Sequence, residues 1–66
     1  MTEHMVREWA EDAVSDWFSG YTSPDEMGQQ YKITHSGEDT YTIAGTYPNN
    51  TLDSRCFRVL VSVTEL

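Results

Sequence analysis

Gln30-Tyr31-Lys32-Ile33-Thr34-His35-Ser36-Gly37-Glu38-Asp39-Thr40-Tyr41-Thr42-Ile43-Ala44-Gly45-Thr46-Tyr47 is the most regular stretch of this chain. Tyr31 and Ile33 alternate with Gln30, Lys32 and Thr34, the period-two pattern of a half-buried strand over residues 30–35. Ser36-Gly37-Glu38-Asp39 is a short polar connection. Alternation resumes over residues 40–47, with Tyr41, Ile43, Gly45 and Tyr47 on one face and Thr40, Thr42, Ala44 and Thr46 on the other. Two such runs joined by four residues predict an antiparallel hairpin.

Downstream, Pro48-Asn49-Asn50 marks a loop. Residues 55–64 then predict a third strand, with Phe57, Val59, Val61 and Val63 on one face and Cys56, Arg58, Leu60, Ser62 and Thr64 on the other. Short connections make these three strands a meander. One face is apolar and the other threonine-rich, which calls for a cover on one side only.

Upstream, residues 3–19 supply that cover. Val6, Trp9, Ala10, Ala13, Val14 and Trp17 recur at steps of three and four. At 100° per residue they form a stripe roughly 140° wide, so both tryptophans are expected in the core. Phe18 and Tyr21 fall off the stripe centre, where they close the bottom of the core or lie at an interface. Thr2 suits the N-cap and Gly20 the left-handed position after the helix. Ser23-Pro24-Asp25-Glu26 matches a capping box with proline at N1, so the connector 21–29 is expected to hold at most a single helical turn, stopped by Gly28. The fold class is therefore α+β: residues 1–66 form a single small acidic domain, one helix on a three-stranded antiparallel meander in αβββ order.

A chain of 66 residues has room for one thin core. No apolar run approaches the ~18 residues of a membrane-spanning helix. Met1-Thr2-Glu3-His4 lacks the basic and apolar regions of a secretory signal. The single cysteine, Cys56, rules out an internal disulfide framework and fits a reducing compartment, so a cytoplasmic location is expected.

Eleven acidic residues face four Lys and Arg, and the formal net charge is −7. Such acidity argues against direct contact with nucleic acid or anionic membranes. The charge is also segregated. The helix holds Glu3, Glu8, Glu11, Asp12 and Asp16 against Arg7 alone, whereas residues 30–66 hold four acids against Lys32, Arg55 and Arg58. Glu8, Asp12 and Asp16 follow at i, i+4 and i+8, which stacks carboxylates ~6 Å apart along one helix edge. Like charges at that spacing destabilise a helix by a few tenths of a kcal/mol per pair. A binding ridge explains that cost; a solvated face that keeps a small protein dissolved is the alternative. Trp9 stands at the edge of the apolar stripe beside Asp12 and Asp16, placed to anchor a contact within an acidic rim. Asp25 and Glu26 extend the acidic set, as do Glu38 and Asp39, although such pairs ordinarily cap and turn the chain.

The remaining chemistry-bearing residues are weaker. His4 and His35 have no ligands at metal spacing, and no calcium-loop pattern exists, so neither metal nor cofactor is expected. Cys56 has flanking arginines but no recognisable catalytic partner. Asn49-Asn50-Thr51 is an N-glycosylation pattern that reads as an ordinary loop without a secretory signal. No nucleophile–base pair or phosphate loop marks an enzyme.

The αβββ order resembles the first four elements of double-stranded-RNA-binding domains. The closing helix and basic contacts of that family are absent, so no residue role carries over. In size and acidity the chain is similar to phage-encoded inhibitors that mimic nucleic acid, a likeness of composition that rests on no motif. The expected function is a non-enzymatic, acidic inhibitor or regulator. It would occlude a basic, nucleic-acid-processing partner through Glu8, Trp9, Glu11, Asp12, Asp16, Asp25 and Glu26. The alternative is an assembly subunit that homodimerises or docks through its C-terminal strand, a sheet edge that Arg55 and Arg58 only partly protect.

Overall fold

The computed structural model describes residues 1–50 and 54–66. Thr51 of the glycosylation pattern and Asp53 lie outside the described residues. Helix α1 spans Glu3–Phe18 and is followed by strands β1 (Gly20–Tyr21), β2 (Gln30–His35), β3 (Thr40–Tyr47) and β4 (Arg55–Arg58). The four strands form one antiparallel sheet in sequence order. The molecule is α+β, and its sheet has one strand more than the expected three.

Local chemistry sets the helix ends. Thr2 Oγ1 accepts the Met5 N–H at 3.2 Å, supplying one of the acceptors that the first turn lacks. Ser19 ends the helix and Gly20 follows at φ 114°, a conformation open to glycine. That turn sends the chain straight into β1, which pairs Gly20 with Ile33 and Tyr21 with Lys32. A two-residue strand carries no alternation to read, so pairing with β2 alone defines it.

The hairpin matches the expected bounds, with Ile33 opposite Ile43 and His35 opposite Tyr41. One irregularity lies between Gln30 and Tyr31: Tyr31 pairs with Gly45 and Gln30 with Tyr47. The extra residue, Thr46, breaks the alternation, so Tyr47 leaves the apolar face and is exposed.

Three expectations are corrected. First, the connector contains no helical turn. Asp25 Oδ1 accepts the N–H groups of Met27 (2.9 Å) and Gln29 (3.0 Å), and the Gly28 N–H donates to the Asp25 carbonyl at 2.9 Å. An aspartate folding the chain back onto its own side chain competes with helix and wins here. Asp25→Ala is expected to destabilise the domain by about 1 kcal/mol, and Asp25→Asn, which keeps an acceptor oxygen, by less. Urea denaturation of the two variants checks this.

Second, the last strand is shorter than 55–64. Regular pairing with β3 ends at Arg58, and the Val59 N–H donates to the Asp39 carbonyl at 2.8 Å. β3 begins at Thr40, so beyond Val59 the last strand has outrun its neighbour. Residues 59–64 nonetheless keep the alternation, with Val59, Val61 and Val63 half-buried and Leu60, Ser62 and Thr64 exposed. This tail reaches the helix N-terminus, where the Glu65 N–H donates to Glu3 Oε1 at 3.1 Å.

Third, the helix buries only part of the expected stripe. Val6, Ala10, Val14 and Phe18, at successive i+4 steps, are half-buried, whereas Trp9, Ala13 and Trp17 are exposed. Glu11 and Ser15 are half-buried as well, so the inward face keeps Val6, Ala10 and Val14 but is centred about 80° from the expected stripe. The helix does not lie across the sheet. Its last turn docks there, with Phe18 edge-on to Tyr41 (centroids 5.1 Å apart, planes at 76°). Towards its N-terminus its neighbour is the tail. A seam between a helix and a single extended segment accepts Val and Ala and leaves no depth for an indole.

The core is correspondingly small. Tyr41 (3% exposed) and Ile33 (8%) are the only buried apolar side chains among the described residues. The molecule measures 46 × 20 × 15 Å with a radius of gyration of 14.6 Å, against about 11 Å for a compact domain of this length.

Candidate functional site: the outer face of the helix

Rotation of the helix decides what its outer face carries. With Val6, Ala10, Val14 and Phe18 turned inward, Glu8, Asp12 and Asp16 all point to solvent along one edge. Trp9 (55% exposed) stands beside that edge, Met5 is exposed near its start, and Trp17 (85%) is exposed in the last turn about 100° round the helix from Asp16. Exposed tryptophans are unusual on a small domain, because each leaves a large apolar area in water. The sequence places Trp9 at the rim of this site; Trp17, expected in the core, is exposed on the same helix.

The ridge is not neutralised from within. Glu8 Oε1 lies 3.0 Å from His4 Nε2, an exposed i,i+4 contact that is ionic only when the histidine is protonated. Among the described residues, Asp12 and Asp16 have no ion pair. Arg7 lines the same groove as Asp12 without an ion pair among the described residues, and Arg58 Nε contacts Asp39 Oδ2 at 3.4 Å. Lys32 Nζ lies 5.7 Å from the centroid of the Tyr21 ring.

Other predicted site residues lie elsewhere. Glu11 is half-buried and lines an open groove of about 600 Å³ between helix, tail and hairpin turn. Asp25 and Glu26 are exposed in the connector, which β1 leads away from the end of the sheet where the helix docks. The Asp25 carboxylate is already engaged by two backbone amides. The structure brings together Glu8, Trp9, Asp12 and Asp16, places Glu11 beside Asp12 on the groove side of that edge, and separates all of them from Asp25 and Glu26.

The groove holds one arrangement invisible in the sequence. Ser15 Oγ and His35 Nδ1 are 2.8 Å apart, although 20 residues separate them. His35 Nε2 is 3.2 Å from the Glu38 carbonyl, which only accepts, so Nε2 carries the proton and Nδ1 accepts from the Ser15 hydroxyl. His35 also stacks on Tyr41 at 4.6 Å. A hydroxyl on an imidazole is the beginning of a nucleophile–base pair. Its setting opposes acyl transfer: Ser15 sits in the last turn of α1, at the negative end of the helix dipole, and Glu11, Asp12, Glu38 and Asp39 line the same groove. Arg7 is the one cation of the lining, so an oxyanion forming there would meet a surplus of negative charge. The contact fastens the helix to the hairpin.

Among the described residues, no group of three or more His, Cys, Asp and Glu side chains is disposed to hold a metal ion, and no helix is long and apolar enough to cross a membrane. No family model, curated protein or solved structure matches the chain.

Proposed function

We propose that the chain is a protein-binding regulator whose outer helix face covers a basic surface of another protein, in competition with that surface's nucleic acid. One observation carries this reading: three carboxylates aligned on an exposed edge, two of them without an ion pair among the described residues, with the exposed Trp9 beside them and Trp17 exposed further round the same helix. An evolved contact surface combines these features, with aromatic anchors for affinity and rim charges for steering and register. A face serving solubility alone gains nothing from exposed indoles. Catalysis has no place in the proposal, because the serine–histidine contact sits at the negative end of the helix in a groove where Glu11, Asp12, Glu38 and Asp39 outnumber Arg7. A cytoplasmic site of action is part of the same proposal.

The test is capture of partners from the native host by the immobilised chain over a salt series, alongside the Asp12→Lys, Asp16→Lys double variant. Capture of a basic protein that declines with salt, is displaced by double-stranded DNA or RNA, and drops about tenfold or more in the variant is the expected result. Unchanged capture after both reversals removes the ridge as the contact.

A further inference from the structure

The chain exposes more surface than a domain of its mass should. Its accessible area is 5527 Å², against about 4,300 Å² for a compact monomer of 7.6 kDa. The excess, about 1,200 Å², is larger than the ~800 Å² that each partner contributes to a standard interface. One segment is ready to use it. β4 is an outer strand of the sheet, and the tail continues it past the end of β3. The Val59 and Glu65 amides, at the two ends of the tail, both donate to the body of the molecule. In an extended chain the backbone groups alternate in direction. Those of Arg58, Leu60, Ser62 and Thr64 therefore face away, and among the described residues no hydrogen bond engages the last three.

The sequence of this edge, Arg-Cys-Phe-Arg-Val-Leu-Val-Ser-Val-Thr-Glu over residues 55–65, is complementary to itself reversed. Antiparallel pairing of two copies must set even-numbered residues opposite even-numbered ones, because only those groups face outward. Centring the pair on Leu60 places Arg55 opposite the partner's Glu65, Phe57 opposite the partner's Val63 and Val59 opposite the partner's Val61. The exposed Leu60 (74%) then meets the partner's Leu60. Other permitted registers are poorer. Centring on Val61 sets Phe57 against the partner's Glu65, and centring on Arg58 sets two arginines against each other. Opposite charges and apolar pairs directly across a ladder stabilise it, and like charges oppose it.

We propose that two copies of this chain pair antiparallel through residues 55–65, Leu60 opposite Leu60, joining both four-stranded sheets into one ladder. This interface uses backbone edges and is independent of the helix face. Its salt dependence has the opposite sign: two bodies of charge −7 repel, so added salt strengthens the dimer, whereas it weakens capture of a basic partner.

Sedimentation equilibrium of the full chain over a wide concentration range should give twice the 7.6 kDa monomer mass, with tighter association at higher salt. Leu60→Lys should raise the dimer dissociation constant roughly tenfold or more, while circular dichroism stays native because Leu60 is exposed. Register is read by oxidation in a Cys56→Ser background. Leu60→Cys should form an inter-chain disulfide, since opposed residues are about 5.5 Å apart between Cα atoms, and Ser62→Cys, displaced from its own copy, should not. A monomer at every concentration, a dimer untouched by Leu60→Lys, or cross-linking at position 62 without position 60 overturns the proposal.

Discussion

Tyr41→Ala is expected to leave the protein largely unfolded at 25 °C. Tyr41 is the most buried large side chain described, edge-on to Phe18 and stacked on His35. It is the point where helix, β2 and β3 meet. Truncating a buried aromatic costs about 3–5 kcal/mol, and the loss of two ring contacts adds to that. A core this small supplies only about 3–5 kcal/mol of net stability. Far-UV circular dichroism should show the loss of helix and strand signal together, because the helix is held to the sheet mainly through this contact. Tyr41→Phe keeps the ring and should remain folded, with a cost below about 1 kcal/mol. A Tyr41→Ala protein that melted cooperatively near the wild-type midpoint would show that the helix–tail seam, and not the Tyr41 cluster, holds the fold.

Replacing both exposed tryptophans should have the opposite profile. Trp9→Ala with Trp17→Ala removes two large side chains that contribute little to the packed core, so the unfolding free energy from urea denaturation should change by no more than about 0.5 kcal/mol at each site. Affinity for a partner bound through the helix face should fall by about 2 kcal/mol or more per indole, roughly thirtyfold each. Calorimetric or surface-based titration against the captured partner checks this beside the denaturation curves. Large destabilisation with unchanged affinity would falsify the assignment of both tryptophans to a contact surface and return them to the core.

Much of the architecture is written in local sequence. Period-two alternation places β2 and β3, and the turn between them, at their observed residues. Thr2 and Gly20 mark the helix ends because a hydroxyl acceptor and a residue free to take positive φ are needed there. The i, i+4, i+8 spacing of Glu8, Asp12 and Asp16 puts them on one edge whatever the helix packs against. β1 and the Asp25 turn are less legible. A two-residue strand exists only through its partner, and Ser-Pro-Asp-Glu suits a capped helix or an aspartate turn equally well.

Which side of the helix faces inward is the point that local pattern leaves open. Val6, Ala10 and Val14 belong to two overlapping stripes, one completed by Trp9, Ala13 and Trp17 and the other by Phe18, and periodicity weighs them almost alike. The choice falls to long-range packing: Phe18 on Tyr41 and Ser15 on His35 fix the rotation at one end, and a slender valine tail at the other has room only for small side chains. The same contacts push both indoles into solvent, Trp9 beside the carboxylates. Local order in the residues accounts for the elements and the acidic edge; neighbours distant in the chain determine which face is left bare.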